Sequence, residues 1–182
     1  MINNSKNNKK LGWVITGSGH FFEECLDIMS NLGEFDLFVS KAADEVIRMY
    51  KKKKASFPKN TRIFRDTTAS SAPVGFFYKN IYHTLVVAPA TSNSIAKFVA
   101  GISDNLATNI FAQAGKCKVF CIYFPCDTAP ELKTFAPSGF VDVYPRDIDL
   151  ENVKKLKKFS QTDVVISFKD LEKKVIRRND SV

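Results

Sequence analysis

The stretch from Ile81 to Asn109, IYHTLVVAPATSNSIAKFVAGISDNLATN, constrains the fold more than any other part of the chain. It opens on an apolar, β-branched run, Leu85-Val86-Val87-Ala88, short enough for one fully buried strand. Pro89 cannot donate to a ladder and is expected to end that strand. After the small turn Ala90-Thr91-Ser92, Asn93-Ser94 stands before Ile95, Ala96, Phe98 and Val99, whose spacing is that of an amphipathic helix. Gly101 is expected to close this helix, and Ser103 or Asp104 to cap a second one running through Ile110 to Gly115. A buried strand feeding a small-residue turn into a helix start presents unpaired backbone N–H groups and the positive end of a dipole. That is the geometry of an anion or cofactor site, and also of an ordinary strand–helix junction.

The flanking segments repeat the pattern. Leu11 to Thr16 reads as a strand and Gly17-Ser18-Gly19-His20 as a tight loop, followed by Phe21, Phe22, Cys25, Leu26 and Met29 at helical spacing, ending near Gly33. Phe35 to Val39 is a second strand with Ser40 at its carboxyl end, followed by a helix over Ala42 to Tyr50. Arg62 to Phe64 reads as a short strand, Thr67 to Ser71 as a polar loop and Pro73 to Tyr78 as a short helix. Beyond the central stretch, Lys118 to Phe124 is a buried strand, Ala129 to Gly139 loop-rich and Val141 to Tyr144 a short strand. Leu150 to Phe159 is a basic amphipathic helix, Val164 to Ile166 a last strand, and Leu171 to Ile176 a closing helix. Alternating β and α elements without repeat or linker predict an α/β open parallel sheet. In such a sheet the carboxyl ends of the strands share one edge, so Ser18 and Ser40 stand together with a helix start, a set suited to one phosphate monoester.

At 182 residues the chain suits a polar, flexible tail over residues 1–10 and a single domain over 11–182. Its 45% hydrophobic content, with 16 Phe, excludes a disordered protein. No apolar run approaches membrane-spanning length and no signal-peptide core follows the first residues, so a cytoplasmic protein with reduced Cys25, Cys117, Cys121 and Cys126 is expected, with no membrane association. The net charge of +8 comes from short Lys and Arg runs separated in sequence, read as solvated faces; no nucleic-acid interface is expected. An acidic protein partner remains compatible with it.

Three segments, TGSGH at 16–20, VSKAA at 39–43, and APATSNSIAK with GISDNLAT at 88–108, together resemble the homo-oligomeric flavin-containing cysteine decarboxylase-like flavoproteins. Within that family the chain is most similar to the archaeal flavoproteins that include the FMN-dependent dihydromethanopterin reductases, a likeness extending to PCD at 125–127 and YPRDIDLENVKKLKKF at 144–159. The resemblance implies a three-layer Rossmann-like fold with FMN held between subunits of a homo-oligomer built on trimers. By matching motifs it places Gly17, Ser18, Gly19, His20 and Ser40 about the phosphate, Ala90, Thr91, Ser92 and Asn93 along the cofactor, and Asp104, Asn105 and Leu106 near the flavin ring.

The chain also departs from the family. The decarboxylase branch carries a catalytic histidine ahead of its Asn-containing motif and a PxMN-type clamp later. Here the histidines are His20 and His83 only, and Pro125-Cys126-Asp127 stands in place of the clamp. Decarboxylase or flavin prenyltransferase chemistry is thereby disfavoured. The expected function is an FMN oxidoreductase passing electrons from an external donor, ferredoxin-like in character, to a dihydropterin that Asp127 and Arg146 orient. The alternative is an electron-transfer flavoprotein without a small-molecule substrate. Cys117, Cys121 and Cys126, read as one strand and its exit, lack iron–sulfur spacing, and no metal is expected.

Overall fold

The computed structural model describes residues 9–49, 57–67, 72–136 and 139–180. Residues 1–8 of the expected tail, the Lys51–Lys54 run and residues 68–71 of the expected polar loop lie outside the described residues. Among the described residues the strands are β1 (Lys10–Ile15), β2 (Phe35–Val39), β3 (Arg62–Arg65), β4 (Tyr82–Ala90), β5 (Phe120–Pro125), β6 (Leu132–Ala136), β7 (Gly139–Val143) and β8 (Thr162–Val164). The helices are α1 (Phe22–Ser30), α2 (Lys41–Met49), α3 (Ser92–Ala100), α4 (Leu106–Lys116), α5 (Asp147–Leu156) and α6 (Phe168–Asn179).

Six strands form one parallel sheet in the order β3-β2-β1-β4-β5-β8, with the order reversing between β1 and β4. β1, β2, β4 and β5 are buried along nearly their whole length, which is why they read in sequence as continuous apolar runs and not as alternations. One face of the sheet packs Trp13, Ile15 and Val86 against α1, α2 and α6 through Cys25, Met29, Ala43, Leu171 and Val175. The other packs Val14, Leu85 and Val87 against α3, α4 and α5 through Ile95, Phe98, Ile110, Val153 and Leu156. Sheet between two helix layers is the three-layer Rossmann-like architecture expected.

Several local expectations are corrected. Pro89 does not end β4; it lies inside it, after a cis Ala88–Pro89 bond, where the β4–β5 ladder is irregular between Val87 and Ala90 and asks no N–H of it. Thr91, not Asn93-Ser94, caps α3, its hydroxyl accepting from Ser94 N at 3.3 Å. Asn105, one residue beyond Asp104, caps α4 in a reciprocal box with Thr108. Gly101 does close α3, at φ +71. The region expected to be loop-rich holds β6, which pairs antiparallel with β7, the short strand expected from Val141; the exposure of this ribbon leaves no buried apolar run to reveal β6. Cys117 belongs to the end of α4 and not to a strand shared with Cys121. Lys10, placed in the tail by sequence, begins β1.

The parallel topology also sorts charge. Strands start, and α2, α4, α5 and α6 finish, at the amino edge of the sheet. Lys9, Lys10, Lys59, Lys79, Lys116, Lys118, Lys157, Lys158, Arg177 and Arg178 collect there, where cations complement helix carboxyl ends. Runs that are dispersed in sequence are therefore gathered in space. Glu23, Glu24, Asp44, Asp66, Asp127, Asp147 and Asp170 stand at the opposite, carboxyl edge together with the cations Lys41, Arg65 and Arg146, while the acids Glu34 and Asp180 stand at the amino edge. A buried carboxylate, Asp36, is fully spent on structure: it accepts from Arg62 and from Tyr82 Oη at 2.6 Å.

Candidate functional site

A cleft of about 620 Å³ opens at the carboxyl edge, beside the reversal between β1 and β4. This is where an open α/β sheet leaves a crevice, because the chain exits β1 and β4 in opposite directions. Thr16 holds the two exits together. Its hydroxyl donates to Pro89 O at 2.8 Å and accepts from Thr91 N at 2.9 Å, so the first turn of α3 is anchored to the end of β1. Sequence reading did not single out Thr16, since its role needs the long-range pairing.

Of the residues expected from sequence, Gly17, Ser40, Thr91, Asn93, Asp104 and Asn105 line this cleft. At one end stand Gly17, Ser40 and Lys41. A Cβ on Gly17 would meet Ala42 Cβ at 2.4 Å, so only glycine lets the β1 exit approach the start of α2 this closely. Ser40 Oγ accepts from Ala43 N at 3.1 Å and caps α2, which leaves its hydroxyl proton free to donate into the cleft. Lys41 occupies the first position of α2, where the dipole favours negative charge, and makes no ion pair among the described residues. A cation there, a hydroxyl donor and a glycine together suit an anion such as a phosphate monoester.

At the other end, Lys97 Nζ pairs with Asp104 at 2.5 Å, and that ammonium hydrogen bond holds the Asp104 carboxyl below its usual range. Asp66, immediately after β3, accepts from Leu106 N at 3.2 Å. Leu106 itself is buried in the first turn of α4, and Ala90 is buried at the end of β4. Sequence reading passed over Lys41, Glu45, Asp66 and Lys97 as cleft residues. The position of Asp66 directly after a strand is the same signal that picked out Ser40.

The remaining expected residues lie on the adjoining loops and not in the cleft lining. The Ser18 hydroxyl accepts from His20 N at 3.1 Å, and lies against the Cys126 thiol, partly offsetting the burial that pushes that thiol up to about 12. Gly19 belongs to the same loop. Burial holds the His20 imidazole below its ordinary pKa of 6.5, against the opposing pull of Glu24 and Asp127, and its ring contacts Phe21 with centroids 3.7 Å apart. Ser92 donates its hydroxyl proton to Asp127 Oδ2, tying the β5 exit to the first residue of α3. Arg146 is turned to its own helix, where Nε and Nη2 reach Asp149 at 3.0 and 2.8 Å and keep that carboxyl low.

The cleft has the volume of an ordinary cofactor site (about 300–1,000 Å³). Its anion-ready end and polar far end fit a phosphate-bearing heterocycle such as FMN. The chain is similar to the dihydromethanopterin reductase (acceptor) of Methanosarcina mazei, 36% identical over 132 residues, a match covering 65% of this chain and 55% of that protein. The chain thus aligns with little more than half the length of that curated relative. Among solved structures it is similar to Burkholderia xenovorans DmrB in complex with FMN, described as a cubic protein cage for redox transfer, at 42% identity and TM-score 0.86 over 97% of this chain and 98% of that one. A dodecameric FMN-dependent Ubix-like decarboxylase of Escherichia coli O157:H7, 16% identical with TM-score 0.65 over 94% and 93% of the two chains, shares the fold. With the Flavoprotein family matched over residues 2–180, on a Rossmann-like sheet, the chain belongs to the Flavoprotein family.

Proposed function

We propose that the chain is an FMN-dependent oxidoreductase that takes electrons from an external donor and passes them to a dihydropterin. The observation that carries the cofactor assignment is the Gly17–Ser40–Lys41 end of the cleft, a preformed anion seat at a helix start. The dihydropterin assignment is supported by the dihydromethanopterin reductases among the relatives. Bound FMN supplies hydride and one-electron chemistry. The chain's own residues seat the phosphate through Ser40 and Lys41 and fix the α3 turn through Thr16. Asp127 presents a carboxylate at the β5 exit, its other oxygen free to orient the amino and ring N–H donors of a pterin.

We place the working form in a homo-oligomer built on trimers. Ile95, Phe98, Val99 and the Phe111 region, apolar positions that in sequence exceed what one sheet face needs, pack within the single chain, Ile95 and Phe98 fully buried and Val99 and Phe111 partly so. Phe140, Tyr144, Ile148 and Ile166 are instead left exposed around the β6–β7 hairpin, α5 and the β8 exit. An apolar patch of this kind supports a covering neighbour.

The test is anaerobic oxidation of the pre-reduced, flavin-loaded protein by dihydropterins, in wild type and Asp127→Ala. The expected result is loss of pterin reduction in Asp127→Ala with flavin content and one-electron dye reduction near wild type. If both activities fall together, or neither does, Asp127 has no substrate role. If no dihydropterin oxidises the flavin, the protein is an electron carrier and not a pterin reductase.

A further inference from the structure

Asp66 stands one residue past β3, at a fixed point on the carboxyl edge. Its backbone N–H donates to Val39 O at 3.0 Å, extending the β2–β3 pairing beyond Arg65. Its Oδ1 accepts from Leu106 N at 3.2 Å, which braces the carboxylate against the start of α4. Three further donors of that helix start are met from within the chain. Thr108 N reaches Asn105 Oδ1 at 3.0 Å, and Asp104 N and Asn105 N both reach Thr108 Oγ1 at 3.0 Å. The α4 end of the cleft carries the carboxylates of Asp66 and Asp104 and so disfavours an anion, in contrast to the α2 end with Ser40 and Lys41. A phosphate-bearing ligand is oriented by this asymmetry, with its anion at α2 and its heterocycle toward Asp66.

Asp66 Oδ2 makes no hydrogen bond among the described residues and the side chain lines the cleft. One oxygen is held by the Leu106 N–H; among the described residues the second is an acceptor without a donor. The group that meets it must bring a hydrogen-bond donor, and the donor an isoalloxazine ring offers is its imide N–H. We propose that Asp66 accepts the imide N–H of the flavin pyrimidine ring, making it the residue that selects an isoalloxazine with a free imide and sets its orientation. This rests on the flavin reading above and adds the recognition of its ring. A carboxylate beside the pyrimidine also opposes negative charge on the reduced ring, so it holds the flavin potential down.

The test uses apoprotein reconstituted with FMN and with N3-methyl FMN, whose imide proton is replaced by a methyl group; dissociation constants are read by flavin fluorescence. A site built to hydrogen-bond one N–H rejects the analogue that lacks it. Wild type is expected to prefer FMN by at least tenfold. Asp66→Ala should lose that preference, with a ratio near one, while Asp66→Asn, which keeps an acceptor oxygen, should retain part of it. The FMN midpoint potential of Asp66→Ala should rise by the equivalent of about tenfold in the two-electron equilibrium, about 30 mV. Equal affinity of wild type for both flavins overturns the assignment, as does a full preference kept by Asp66→Ala. Should Asp66→Ala fail to fold, the wild-type ratio and the Asn variant decide. If wild type binds neither flavin, the flavin reading itself falls, and this assignment with it.

Discussion

Gly17→Ala is the substitution whose outcome the structure sets most sharply. The added Cβ would stand 2.4 Å from Ala42 Cβ, with Ala42 C and Cα at 3.1 and 3.3 Å. Carbon atoms prefer about 3.5–4.0 Å, so the β1 exit and the start of α2 must part by about 1 Å. Neither partner is the flexible tip of a long side chain; both are close to backbone. Overpacking of this kind costs about 1–3 kcal/mol. The same movement carries Ser40 away from the anion seat, and losing one hydrogen bond to a charged group is worth about 1.5–3 kcal/mol, about ten- to a hundredfold in FMN affinity. Urea unfolding of the apoprotein and fluorescence titration with FMN measure the two effects separately. Ala42→Gly removes the atom that collides and by itself costs at most about 1 kcal/mol. In that background Gly17→Ala should recover most of its lost stability and affinity. If Gly17→Ala costs the same in both backgrounds, the clash with Ala42 is not the cause and the reasoning fails.

Two further outcomes follow from the same geometry and from burial. Ser40→Asp keeps a side chain that caps α2, so unfolding stability should stay within about 1 kcal/mol of wild type, while the carboxylate repels a phosphate and FMN binding is lost; retained FMN in the folded variant would move the anion seat elsewhere. Burial, reinforced by Arg178 and Lys9, holds the His83 pKa down to about 4, so the folded form refuses a proton that the unfolded chain takes up near 6.5. That contribution is complete above pH 6.5 and is lost as pH falls toward 4. His83→Gln should flatten the stability profile between pH 6.5 and 5 by about 1 kcal/mol, the half-exposed ring reducing the full linkage value; superimposable profiles would show that His83 is not the titrating group.

The sheet was legible in sequence because its central strands are buried on both faces, which makes Leu85 to Ala88 and Phe35 to Val39 unbroken apolar runs. The carboxyl-edge logic paired Ser18 with Ser40, of which Ser40 lines the cleft and Ser18 lies beside it; Gly17 and Asn93, expected from the family resemblance, line it too. Caps were read one or two residues off at Thr91 and Asn105, since several neighbouring small polar side chains can cap and only backbone geometry chooses among them. Thr16 and Asp66 were missed for another reason: each acts through a partner 73 or 40 residues away. Strand β6 was missed, although its partner β7 was read at Val141 to Tyr144, because an exposed two-stranded ribbon has no buried face to write a pattern.

The cations gathered where the helices finish make the amino edge the more basic end of the molecule, since the acids of the carboxyl edge stand among Lys41, Arg65 and Arg146. A strongly acidic protein drawn in from solution would be turned toward the amino edge, and the six residues of β1 alone separate that edge from the cleft by about 20 Å. Attraction at a distance and access to the cleft are thus opposed in this chain. An acidic donor that reduces the flavin directly must be held at the carboxyl edge by contacts such as those of Phe140 and Tyr144, and raising the salt concentration, by screening its pull toward the amino edge, should hasten its productive encounters there instead of slowing them.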